Sequence, residues 1–219
     1  MHKVETLLAA SLLLSGAQTI AAPIVNGDFS QCDYSSWTTE SVGGGTLDEQ
    51  FSIVETAQGC SAKITIDDSP SFINLLYQEV DFSQASSAPF MFSYDFTVDS
   101  ALTGQPSGSA DYFAIGLGDG SGDLFDAQGN AGGFFTMPDI NGPQQYQGSV
   151  RLADTFADVS GLSLELQLFS NFDAAPASIT VNNLSIEQTS VPAPATAALL
   201  TLALLASGFA RRSKEGDKA

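Results

Sequence analysis

The sequence predicts an all-β fold, a single antiparallel β-sandwich of two packed sheets. Three observations carry the prediction. Apolar and polar residues alternate over Phe90–Val98 and Leu162–Leu168, the period of two that strand side chains follow. Turn-forming clusters recur every ten to fifteen residues, among them Gly43-Gly44-Gly45, Gly104–Gly108, Gly118–Gly122 and Asn141-Gly142-Pro143. Helical periodicity is hard to find between them. Many short strands joined by Gly-rich turns bury their apolar faces best as two sheets set face to face.

The chain opens with a segment that reads as a signal peptide over residues 1–22. It has basic residues at His2 and Lys3, an apolar run from Leu7 to Leu14, and small residues at Ala17, Ala21 and Ala22. The apolar run is well short of the roughly 20 residues needed to cross a bilayer, as expected of a cleaved leader. Residues 23–187 are expected to form the β-sandwich, residues 188–194 a linker, and residues 195–210 one transmembrane helix, with a basic cytoplasmic tail at 211–219.

Within the sandwich, Phe90, Phe92, Tyr94, Phe96 and Val98 share one face, against Met91, Ser93, Asp95 and Thr97 on the other. Leu162, Leu164, Leu166 and Leu168 oppose Ser163, Glu165 and Gln167 in the same way. Each run should present one buried face and one more polar face. Ile179 and Val181 keep one phase while Leu184 and Ile186 keep the other, so a β-bulge is expected at Asn182-Asn183. Further strands are predicted over Ser61–Ile66, Leu75–Phe82, Tyr112–Leu117, Gly132–Met137 and Gln145–Leu152.

Cys32 and Cys60 are the only cysteines, both in the exported part, and read as one disulfide. Closing that separation stabilises a fold by roughly 3–4 kcal/mol through the entropy of the unfolded chain. The body between the two processing segments carries 22 of the 25 acidic residues but only Lys63 and Arg151 of the seven basic ones, a net charge near −20. Such a surface repels phosphate backbones, which excludes nucleic acid as a partner.

Catalytic chemistry finds little material. The single histidine, His2, lies in the leader, so neither a Ser-His nor a Cys-His pair can form in the body. Acidic neighbours such as Asp67-Asp68 would serve glycoside hydrolysis only if held roughly 5–10 Å apart across a cleft. The loop Asp119-Gly120-Ser121-Gly122-Asp123-Leu124-Phe125-Asp126 reads first as a Gly-Asp hairpin turn. Its alternative is a calcium loop through Asp119, Asp123 and Asp126, since clustered carboxylates suit a hard cation. Asp28 is a further candidate ligand. No other cofactor is expected. Tyr34, Tyr77, Tyr112 and Tyr146 are the candidate sugar-stacking rings, whereas Trp37 reads as core.

From Val191 to Ala210 no residue is charged, about 30 Å of helix at the usual rise, and Arg211, Arg212 and Lys214 follow at once. Basic residues flanking a span stay in the cytoplasm, which puts the body outside. Val191-Pro192-Ala193-Pro194, a short hydrophobic segment and Arg211-Arg212 together resemble the PEP-CTERM sorting signal. The commoner form of that signal has Glu where Ala193 stands. The resemblance implies an exosortase-type transpeptidase as partner, an inner-membrane stage before processing, and a final place at the cell surface or in an exopolysaccharide matrix.

At the other end, Asn26-Gly27-Asp28-Phe29 followed by Trp37-Thr38 resembles the opening of galactose-binding-like jelly-roll domains, and Ile179–Ile186 resembles their closing strand. That resemblance implies a jelly-roll sandwich. It also implies a structural calcium between the first turn and the last strand, although Ser30 and Asn182 stand where relatives carry acidic residues. The function expected from the sequence is a non-enzymatic, exported surface or biofilm-matrix protein processed by an exosortase. The alternative is a carbohydrate-binding module that calcium could stabilise, and behind it a secreted hydrolase.

Overall fold

Alternation places the apolar residues of the body on two surfaces that face each other. A computed structural model describes residues 24–44, 46–57, 59–66, 72–83, 89–99, 111–135, 142–170 and 177–188. In chain order its strands are β1 (Thr38–Val42), β2 (Phe51–Thr56), β3 (Gly59–Ile66), β4 (Ile73–Val80) and β5 (Phe90–Asp99). They continue as β6 (Tyr112–Gly118), β7 (Leu124–Phe125), β8 (Gln144–Arg151), β9 (Leu162–Phe169) and β10 (Ala177–Gln188). One helical turn, Leu47–Gln50, precedes β2.

The strands form two five-stranded antiparallel sheets, ordered β1-β4-β9-β6-β7 and β2-β3-β10-β5-β8. Leu76, Phe113, Ile115, Leu117, Leu164, Leu166 and Leu168 of the first sheet meet Ile64, Phe92, Phe96, Ile179, Val181, Leu184 and Ile186 of the second in one buried cluster. The two-sheet antiparallel sandwich expected from the alternation is therefore present.

The phase slip in the last strand has the expected cause. Val181 pairs with Phe96 and Asn183 with Asp95, so Asn182 is the extra residue of a bulge. Ile179, Val181, Leu184 and Ile186 all reach the core because of it.

The chain ahead of β1 is held by local hydrogen bonds rather than by a sheet. Asn26, Phe29, Cys32 and Ser36 all take positive φ, which side-chain-bearing residues adopt only when their surroundings impose it. The Asn26 side chain supplies much of that restraint. Its Nδ2 donates to the Asp33 carbonyl (3.2 Å) and the Ser35 hydroxyl (3.2 Å), and the Trp37 indole donates to the Asn26 backbone carbonyl (3.0 Å). Trp37 is buried and stacks on Phe29 at 5.5 Å. Gly27 lies so close to β10 that a Cβ would overlap the Leu184 carbonyl, and its own carbonyl accepts from the Leu184 amide. The Cys32–Cys60 disulfide, with Cα atoms 5.2 Å apart, ties this segment to β3.

Two expectations need correction. Gly132–Met137 is not a strand over its described part: Gly132 has φ 139°, and the Gly132 and Phe134 amides donate to Leu124 and Ile115 instead. A Cβ at Gly133 would press on the Ile115 carbonyl, so this loop packs its backbone against β6. The strand predicted over Leu75–Phe82 runs over Ile73–Val80, with Phe82 buried just beyond it.

The leader, Asp67-Asp68 and the whole tail from Val191 onward, including Pro192, Ala193, Pro194, Arg211 and Arg212, lie outside the described residues. All described residues belong to the part of the chain before Ser190. Among them no helix is long and apolar enough to cross a membrane.

Candidate functional site

The outward-facing residues of β9 do not behave as a solvated strand face. Ser163, Glu165 and Gln167 alternate with core leucines and so point away from the core, yet they are only 8, 7 and 5% exposed. They satisfy one another. The Ser163 hydroxyl donates to Glu165 Oε1 (2.6 Å), and Gln167 Nε2 donates to Glu165 Oε2 (2.8 Å). A buried glutamate is ordinarily paired with a cation, and both partners here are neutral.

Two glycines of β6 shape this face: Gly118 leaves room for the row, whereas a Cβ at Gly116 would press on the Phe125 carbonyl of β7. Gly116 lies opposite Glu165, and Gly118 lies opposite Ser163. A Cβ at Gly118 would overlap the Glu165 carboxylate. Glycine inside a strand weakens it and marks a close approach, here of a carboxylate laid across the sheet.

The register sets out the rest of the face. Thr38, Tyr77, Glu165 and Gly116 form one cross-strand row, and Glu40, Leu75, Gln167 and Ala114 the next. Beyond them, Val42, Ile73, Phe169 and Tyr112 form an apolar row. The Phe169 and Tyr112 rings stack at 4.2 Å and 5° between planes. Partial burial pushes the Tyr112 phenol above its usual range. From Ser163 to Phe169 the face runs about 20 Å at the usual strand rise.

At the polar end lies a hollow of about 360 Å³ lined by Glu40, Tyr77, Glu79, Asp119, Ser163 and Glu165 with neighbouring glycines. Tyr77 and Glu79 also line a second hollow of about 430 Å³ that reaches Val25 and Ser36. The loop after β6 forms one wall. Asp119 accepts the Ser121 amide (2.9 Å), and hydrogen bonds from Ser121 hold its carboxyl below the usual range.

This architecture has known counterparts. TmCBM61, solved in complex with β-1,4-galactotriose, is similar to the chain with a TM-score of 0.50 at 11% identity, over 77% of this chain and 99% of that one. A carbohydrate-binding module specific for non-crystalline cellulose, CBM28, matches with a TM-score of 0.44 at 12% identity, over 75% and 93%. The K3 adhesin domain of Lys-gingipain from Porphyromonas gingivalis matches with a TM-score of 0.43 at 16% identity, over 77% and 100%. At these identities the likeness is one of fold. No protein-family model and no curated protein sequence matches the chain.

The tyrosines singled out from the sequence divide evenly. Tyr77 and Tyr112 stand on the outer face. The Tyr34 hydroxyl reaches the Ser52 and Lys63 carbonyls (2.8 and 3.2 Å), and burial pushes the phenol up to about 12. Tyr146 stacks on the core ring Phe96 and donates to Gln144.

The four acidic candidates do not share one place. Asp28 lines a separate hollow of about 520 Å³ with Ser30, Cys60, Ser61, Asp95 and Asn182. There Asn182 accepts from Ser61 (2.9 Å) and donates to Asp95 (3.1 Å), while Asp28 accepts the Ser30 amide (3.1 Å). Asp119 and Asp123 lie in the loop between β6 and β7, and Asp126 directly after β7. Asp126 closes its turn by accepting the Gln128 and Asn130 amides (2.9 and 2.8 Å). Among the described residues no three His, Cys, Asp or Glu side chains are arranged to hold a metal ion.

The residues missed in the sequence are Glu165, Gln167 and Ser163. Alternation identified their face but not its burial. The available signal was Gly116-Leu117-Gly118, a strand with two missing side chains on one face.

Proposed function

We propose that the chain is a non-catalytic carbohydrate-binding β-sandwich that holds a glycan along the outer face of β1, β4, β9 and β6. The observation that carries this reading is the buried Ser163–Glu165–Gln167 row continuing into the stacked Phe169 and Tyr112 rings. Sugars offer hydroxyl groups around the ring edge and patches of C–H on its faces, so they are recognised by fixed polar groups beside flat apolar ones. The likeness in fold to a module solved with β-1,4-galactotriose supports the carbohydrate reading.

Titration calorimetry of the chain against a panel of soluble glycans, in calcium and in EDTA, tests the reading. At least one glycan binds with millimolar to micromolar affinity, and Tyr112→Ala weakens it about tenfold by removing one stacking ring. Absence of binding across the panel contradicts the reading, and release of reducing ends would replace it with a hydrolase.

Delivery is a separate proposal. The Val191–Pro194 motif and Arg211-Arg212 support exosortase-type sorting from the inner membrane toward an exopolysaccharide matrix, and a disulfide is in keeping with an oxidising compartment. Intact mass of the cell-derived protein tests it: removal of the chain beyond Pro194 is expected, and an uncut C-terminus contradicts it.

A further inference from the structure

The binding face carries a charge that it does not neutralise. Glu40, Glu79, Asp119 and Glu165 all line the 360 Å³ hollow, and among the described residues no basic side chain lines it. The described residues include only two cations, Lys63 and Arg151, and both belong to the other sheet. Arg151 is already engaged by Asp154 at 3.0 Å.

Glu165 makes this more than an acidic surface. It is nine-tenths buried in the wall of the hollow, and each carboxylate oxygen holds a single neutral donor. A carboxylate offers about four acceptor positions, and these two hydrogen bonds use half of them. Among the described residues no cation faces it, although burying a carboxylate without a counter-charge is costly. On the same face, Phe169 of β9 and Tyr112 of β6 stack on each other at 4.2 Å, and flat rings of this kind suit the C–H faces of sugars.

We infer that the glycan this face selects carries free amino groups: a de-N-acetylated hexosamine chain whose ammonium group sits against Glu165 while neighbouring rings stack toward Phe169 and Tyr112. The inference rests on the carbohydrate-binding reading and names its ligand class. An ammonium group provides three donors and the missing positive charge. The hollow's other carboxylates add attraction, and the same field repels uronic-acid and sulfated chains. Charge-assisted hydrogen bonds are about twice as strong as neutral ones, which gives the amine its advantage over a hydroxyl or an acetamido group at the same position.

The test is titration calorimetry of the full chain with a glucosamine oligomer, its fully N-acetylated counterpart, a neutral galactan oligomer and a polyuronate. At pH 5.5 the glucosamine oligomer binds at least about tenfold more tightly than the N-acetylated one, and the polyuronate does not bind. Raising the pH to 9, where the sugar amine loses its proton, removes the advantage. Glu165→Gln removes it as well, and so does Glu79→Gln in part, a substitution at an exposed side chain that does not threaten folding. Glu187→Gln, on the other sheet, leaves the advantage intact and controls for attraction to net charge. Equal or tighter binding of the acetylated or neutral oligomers overturns the inference and leaves the carbohydrate reading standing. Equal losses in the Glu165 and Glu187 variants overturn it too, and binding of no glycan at all overturns both.

Discussion

Glu165 keeps its position because β6 has no side chain at Gly118 to displace it. The overlap is with the end of a flexible side chain rather than with backbone, so Gly118→Ala should move the carboxylate at little cost to the fold. The expected outcome is glycan binding weakened by about tenfold or more with the melting midpoint within a few degrees of wild type, read by calorimetry and thermal melts. Tyr34 offers a different single-residue test. Its phenol is pushed up to about 12, whereas in the unfolded chain it titrates near 10. Between those values the unfolded state binds fewer protons, so the stability contributed by the buried phenol is complete below pH 10 and is lost as the pH rises toward 12. Urea melts from pH 9 to 12 should show this decline. Tyr34→Phe should reduce the slope without abolishing it, because Tyr112 is also shifted upward.

The strands were legible in the sequence to different degrees, and their environments explain why. β5, β9 and β10 bury long apolar faces, and their alternation located each within about two residues. The bulge at Asn182 was legible because a one-residue slip exchanges faces, which leaves a visible change of phase. β1, with the sequence TTESV, buries none of its residues and so leaves no periodic trace. β7 is only two residues long. The polar row of β9 is visible in the sequence as a more polar face but its burial is not, since periodicity reports direction and not what lies over a residue. Aromatic pairing across β6 and β9 depended on register, which sequence alone leaves open. Legible too was the Cys32–Cys60 bridge, which fastens the hydrogen-bonded segment before β1 to β3. Replacing both cysteines by serine should lower the unfolding free energy by roughly 3–4 kcal/mol in urea melts, the entropy of a 28-residue separation released into the unfolded state.

On the scale of the whole molecule, the two sheets divide the labour. The second sheet carries the bulge, both described cations and the disulfide's β3 anchor, while the first exposes the aromatic row and the acidic hollow on one outer face. The net charge of −18 gives the molecule a field that disfavours anionic polymers wherever they approach. Which face a glycan occupies distinguishes the two sheets. Amide chemical-shift mapping of the isotope-labelled chain during titration with its tightest-binding glycan measures it directly. The largest shifts are expected on Tyr77, Tyr112, Gly118, Ser163, Glu165, Gln167 and Phe169. Shifts confined to β3, β10 and β5, or to the Asp28–Asn182 hollow, would contradict binding at the outer face of the first sheet.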